Sequence, residues 1–491
     1  MKKEINFDFN NFMSFNVGKD HGVAPQELKA MLPEARKAHE HLCRVLADKA
    51  SRVNLGLEWV MLPFQNKVVL REVEAFAGEI SAKYENIVFL GIGGSYLGLK
   101  AAQDALCSPY YNEFLGVRKG SPRVYFEGNN LDPDTLSVLL AELNPKKTFV
   151  VVISKSGETT ETKAGFAVVE NWMKRSCGKN YGRQIAAITD PSGGSLRAKV
   201  NIAAAKDPLS FRNFPLLHGV GGRYSEFNMG LLHLALIGVS LKQLLAGAAD
   251  MYTRCSVPEP SANPAYMYAL LQTILYRGKG KNISILLPFS ESLRATADWY
   301  CQLLAESTGK KYARKVVVKD GKPEQWLRDL SRVVNAGRTP VAARGTNDLH
   351  SIQQNNIEGE NDKTVTFIRL EKFAFDLRVS GTGDFLSGKT YSGLIHLAQE
   401  ATEWALVKEQ RPNCTITLPK ADAYTWGALL FFFEMATAFE GELLNINAFD
   451  QPGVEGYKNY MYYKLKKPGI PKEISKEIES SPLIKDRAYI L

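Results

Sequence analysis

From residue 83 onward the chain alternates short apolar runs with turn residues and longer amphipathic stretches. Residues 86–90 (Asn-Ile-Val-Phe-Leu) stop at Gly91-Ile92-Gly93-Gly94-Ser95, and residues 148–153 (Thr-Phe-Val-Val-Val-Ile) stop at Ser154-Lys155-Ser156-Gly157. Residues 124–126 and 185–189 behave alike, the latter ending at Asp190-Pro191. Uninterrupted apolar runs of this length, rich in β-branched residues, predict parallel strands covered on both faces. The pattern restarts beyond a proline-rich break at 258–264, with candidate strands at 283–287, 316–318, 341–343 and 364–370. Residues 1–80 read as helical, and 25–50 carry Leu28, Met31, Leu32 and Ala35 at helical spacing. The expected organisation is α/β: a helical N-terminal segment (1–50), a first domain (51–260), a second (261–445) and a C-terminal helical segment (446–491).

Two segments, 229–249 and 426–438, are strongly apolar, but His233 and Lys242 interrupt the first and Glu434 the second. They predict buried helices rather than membrane spans. The N-terminus has no apolar signal core. Six cysteines stand far apart with no C-x-x-C pair, which predicts free thiols in a cytoplasmic protein and no zinc site. The net charge is +9, yet the basic residues are scattered, so the balance suits an acidic small ligand and not nucleic acid.

Three glycine-rich turns carry the chemistry. Gly94 and Ser95 lie in the first. The second, residues 154–162, has five hydroxyl side chains and Lys155 among nine residues. Backbone N–H groups at a strand-to-helix turn form an anion site, and Ser154, Ser156 and Thr159 add donors. Neither turn completes a P-loop or a dinucleotide fingerprint. The third, Gly221-Gly222-Arg223-Tyr224-Ser225, brings a fixed positive charge behind two glycines that allow close approach. Glu306 ends the apolar-striped stretch 299–308 before Gly309; on periodicity alone it reads as a solvated helix end. His350 sits among polar residues, where a structural role is an equal alternative, and Lys458 opens a helical stretch after Asp450-Gln451-Pro452-Gly453.

Taken in order, Gly-Gly-Arg-Tyr-Ser at 221–225, Ala-Glu-Ser-Thr-Gly-Lys at 305–310 and Asp-Gln-Pro-Gly-Val-Glu-Gly-Tyr-Lys at 450–458 resemble the glucose-6-phosphate isomerase family over roughly residues 85–465. The resemblance implies two sugar isomerase (SIS) domains, each a parallel sheet in a three-layer α-β-α sandwich, and a homodimer with a shared active site. It implies no metal and no organic cofactor. It implies Glu306 as the base moving a proton between C1 and C2, His350 as the ring-opening group supplied from the partner subunit, and Lys458 beside the ring oxygen. It also implies Arg223 near the developing enediolate, Ser154, Lys155, Ser156 and Thr159 at the phosphate, and Gly94, Ser95 and Gln451 along the pocket. Ala448 departs from the proline common in the family. Two readings stand beside this one: an isomerase that also accepts mannose 6-phosphate, and a non-catalytic sugar-phosphate sensor.

Overall fold

The computed structural model describes residues 4–491. Twelve strands occur among the described residues: β1 (Asn6–Asp8), β2 (Asn86–Leu90), β3 (Arg123–Glu127), β4 (Thr148–Ile153), β5 (Ile185–Thr189), β6 (Arg212–Pro215), β7 (Ile283–Pro288), β8 (Lys310–Val317), β9 (Gln325–Ala336), β10 (Thr339–Ala342), β11 (Lys363–Lys372) and β12 (Asn413–Lys420). They form one sheet ordered β3-β2-β4-β5-β6, one ordered β1-β12-β11-β7-β10, and a two-stranded ribbon β8-β9. The first sheet is parallel throughout. Every residue of β2, β4 and β5 is buried, as their unbroken apolar runs require.

Chain connectivity leaves β2 toward β3 on one side and returns through β4 on the other. The carboxyl ends of β2 and β4 therefore flank a topological switch point, where open parallel sheets bind ligands. The turns beginning at Gly91 and Ser154 occupy those two ends.

Four strands differ from expectation. The N-terminal segment is not wholly helical: β1 pairs antiparallel with β12 as an edge of the second sheet, and Phe7 packs edge-on against Tyr268 and Phe432. Three residues carry too little pattern to reveal a strand whose partner lies some four hundred positions away. Val316 and Val317 form an antiparallel ribbon with Trp326 and Gln325 instead of joining the parallel sheet. β6 and β12 have no clear signature in the sequence, because proline and polar residues break their apolar pattern.

Both sheets lie in one compact unit that runs to Ala448; Phe449–Leu491 form a second. Within the first unit, helix α1 (Leu241–Cys255) crosses helix α2 (Ala423–Leu443), whose residues are nearly all buried. The crossing is a backbone contact. A Cβ built on Gly247 would lie 1.8 Å from the Tyr424 carbonyl oxygen, and one on Gly427 would lie 2.3 Å from that of Leu244. Helix propensity alone would make alanine the better residue by about 1 kcal/mol at either position. The overlap reverses that sign, because the helices must separate. Gly247→Ala is expected to lower unfolding free energy by about 3 kcal/mol in a denaturant titration; a neutral or stabilised variant would show that the crossing can relax.

Glu434 and His233, which interrupt the apolar segments, are fully buried. His233 bonds the Gln103 side-chain oxygen at 2.9 Å, and burial holds its pKa down near 3, so the ring is neutral. No helix among the described residues is long and apolar enough to cross a membrane.

Candidate active site

The first and third glycine turns touch through their backbones. A Cβ on Gly94 would fall 2.3 Å from both the carbonyl carbon and oxygen of Gly222, and 2.7 Å from the Arg223 nitrogen. Glycine at 94 is thus required by close approach. The contact carries Arg223 to the carboxyl end of β2, beside Ser95.

Arg223 is only 3% exposed, and its guanidinium is held by several groups. Its Nε donates to Ser307 Oγ at 2.8 Å, one Nη to Glu306 Oε2 at 3.3 Å, and the other to the Ala448 carbonyl at 2.6 Å. Helix α3 (Arg294–Thr308) delivers Glu306 and Ser307 on its last turn. The Glu306 carboxylate is partly exposed, with its second oxygen accepting from Gln302 Nε2 at 3.2 Å. Gln302 also lies 3.0 Å from where a Gly93 Cβ would stand, so the same amide spans the glycine turn and the carboxylate. The Glu306 backbone carbonyl accepts from Lys310.

Tyr224 stacks on Trp59 with ring centroids 4.9 Å apart and hydrogen-bonds Ser307 Oγ at 2.9 Å. Burial pushes its hydroxyl up to about 12, so it remains a neutral partner. Behind the turn, Glu226 is fully buried and accepts from the Trp299 indole at 2.8 Å. Burial raises Glu226 to about 7, and it faces the equally buried Glu434, which burial and the Glu226 charge push higher still. Two carboxyls so placed retain at least one proton between them near neutral pH.

The second turn lies at the end of β4. Ser154 Oγ accepts from Gly157 N at 3.0 Å, and Ser156 Oγ from Glu158 N at 3.1 Å. Each hydroxyl still has its single hydrogen to donate. Gly157 has φ +75°, and a Cβ there would overlap Leu196 N at 2.4 Å, so this glycine too is required by its geometry. Thr159 precedes helix α4 (Thr160–Cys177) and its side chain does not cap it. Lys155 and Ser156 are exposed. The negative charge of Glu158, within the loop, is met by Lys163 at 3.2 Å.

Of the other expected residues, one lies in the first unit and two in the second. His350 is exposed, following the carboxyl end of β10, and its side chain makes no hydrogen bond to any described residue. Gln451 and Lys458 belong to the second unit, where Lys458 Nζ donates to Glu455 Oε1 at 2.9 Å on helix α5 (Glu455–Lys464). Burial works against the lysine's charge and the Glu455 carboxylate outweighs it, leaving the ammonium above its ordinary value. Gln302, Ser307 and Tyr224 join the cluster although the sequence reading assigns them no role. The i, i+4 spacing of Gln302 and Glu306 is a usable signal; the arginine–serine contact across 84 positions is not. Among the described residues no group of His, Cys, Asp or Glu side chains could hold a metal ion.

A carboxylate paired with an arginine, beside a hydroxyl-rich strand-end turn in a parallel α/β fold, defines the class: an enzyme site built for a small anion. Comparison with known proteins makes it specific. The phosphoglucose isomerase family model matches residues 59–326 and 388–481. A glucose-6-phosphate isomerase of Carboxydothermus hydrogenoformans is 38% identical over 431 residues, covering 86% of this chain and 88% of that one. One from Symbiobacterium thermophilum is 36% identical, covering 91% and 94%. Among solved structures, a hypothetical protein of Thermus thermophilus matches with TM-score 0.77 at 31% identity, covering 94% of this chain and 100% of that one. A Chlamydia trachomatis glucose-6-phosphate isomerase shares the fold, with TM-score 0.74 at 20% identity, covering 98% and 92%. The chain belongs to the phosphoglucose isomerase family. His350 falls between the two matched stretches.

Proposed function

We propose that this protein interconverts D-glucose 6-phosphate and D-fructose 6-phosphate through a cis-enediol, in glycolysis and gluconeogenesis, and that it works in the cytoplasm. The observation that carries this reading is the Arg223–Glu306 pair at the join of two glycine turns. Aldose–ketose isomerisation removes a weakly acidic proton alpha to a carbonyl and returns it to the neighbouring carbon. One carboxylate within reach of C1 and C2 can do both, and Glu306 takes that role. Negative charge then develops on the enediolate oxygens. A guanidinium already fixed by Ser307 and Ala448 meets that charge without reorganising.

Ser154, Lys155, Ser156 and Thr159 take the phosphate, whose binding energy holds the reacting carbons in register. Gly94, Ser95 and Gln451 take the sugar. Lys458 and His350 serve ring opening, which needs a proton donor and acceptor near neutral pH. His350 acts from the partner subunit of a homodimer. Its exposure and its lack of a hydrogen-bond partner among the described residues support that arrangement.

The test is conversion of fructose 6-phosphate by the purified, chelator-treated protein, with its sedimentation measured at assay concentration. Turnover by a dimer is expected. A folded protein that binds the sugar phosphate without turning it over would instead be a sensor, and an active monomer would remove the shared-site assignment of His350.

A further inference from the structure

A cation-lined cavity lies at the opposite edge of the first sheet from the glycine turns. It has a volume of about 340 Å³ and is lined in part by Lys83, Tyr84, Arg118, Arg123 and Lys147, with Glu85 as its one acidic group. Glu85 precedes β2, Arg123 opens β3 and Lys147 precedes β4, so these groups gather at the amino ends of the strands. The five residues of β2 separate this edge from Gly91 by about 17 Å. The cavity is therefore not part of the site described above.

Two arginines make the place unusual. Arg118 is 9% exposed and its guanidinium is held by backbone carbonyls: Nε donates to Ser121 O at 3.2 Å and Nη1 to Asn112 O at 2.8 Å. Arg123 Nε donates to the same Asn112 oxygen at 3.2 Å. Two guanidiniums thus converge on one carbonyl, and among the described residues neither has a carboxylate partner. The Asn112 side chain fixes that geometry by bonding both the N–H and C=O of Val124 on β3, at 2.9 and 2.7 Å. Like charges held together in this way repel unless an anion lies between them. The lysines are tied only at the surface, Lys83 to Glu79 at 2.8 Å and Lys147 to Glu85 at 3.1 Å. Exposed pairs of this kind are weak, and both ammonium groups are free to turn to a stronger counter-ion.

We propose that this cavity is a second anion site, distinct from the substrate site, that takes a small molecule bearing phosphate groups. Arg118 and Arg123 present planar forks with unspent N–H groups to phosphate oxygens, while Lys83 and Lys147 close over the outer charges. Glu85 is the single repulsive group, and the Lys147 contact offsets it.

The experiment is calorimetric titration of pyrophosphate into the full-length protein at saturating sugar phosphate, which fills the substrate site. One further site per chain is expected, weakening as salt rises. Arg123→Gln, which sacrifices one hydrogen bond, is expected to weaken it at least tenfold, as is Arg118→Gln. Lys155→Gln at the end of β4 is expected to leave it unchanged. Should Arg118→Gln fail to fold, Arg123→Gln decides alone. Absence of a second site in the native protein, or undiminished binding by Arg123→Gln, overturns the proposal. Citrate binding as tightly as pyrophosphate overturns its phosphate assignment.

Discussion

Replacing Glu306 with Gln is expected to lower kcat by about 10³-fold or more while sugar-phosphate binding stays within a few-fold. The amide fills the same space at the end of α3 and can keep its contact with Gln302, but it cannot take a proton from carbon. Little folding energy is at stake. The carboxylate is partly exposed, its contact with the buried Arg223 is 3.3 Å long, and the amide oxygen of Gln can still accept from the guanidinium, so a loss of about 1 kcal/mol is expected. Melting temperature and the affinity for fructose 6-phosphate should both survive. A Gln variant with normal turnover would remove the base assignment and with it the core of the mechanism.

Arg223→Lys is expected to fail differently, losing both turnover and stability. A lysine ammonium cannot reach Ser307 Oγ, Glu306 Oε2 and the Ala448 carbonyl in the fixed geometry of a guanidinium. A polar group left unpaired at such a buried place costs about 1–3 kcal/mol, so a drop of that size in unfolding free energy is expected. Loss of a preorganised donor to the enediolate should lower kcat by roughly 10²–10³-fold, the effect of deleting an oxyanion-binding donor. The pair of variants separates the roles: Glu306→Gln moves kcat alone, Arg223→Lys moves kcat and stability together. An Arg223→Lys enzyme with kcat within about threefold of the native value would confine the arginine to structure.

Much of this is legible along the chain. The buried strands β2, β4 and β5 are unbroken apolar runs because both their faces are covered, and a run of that kind needs no knowledge of its neighbours. Glycines 94 and 157 stand out because backbone must approach backbone there, and only glycine allows it. His233 and Glu434 mark their helices as core, since a buried polar residue amid leucines and phenylalanines is costly in lipid.

Other features have no local signature. Phe7 and Asp8 become a strand only because β12 offers an open edge, and valines 316 and 317 pair with a ribbon partner instead of the sheet their composition suggests. Ser307 and Arg223 meet across the fold, as do Gly247 and Tyr424, and Arg118 and Arg123 converge only through the carbonyl of Asn112. Burial periodicity and glycine's conformational freedom are local properties. For that reason the order of residues dictates most of the buried strands, where they end, and which residue types stand at those ends. Strand order and helix crossing are not local, and no window of sequence contains them. Which ends face one another, and so which carboxylate meets which arginine, follows only once the chain has folded.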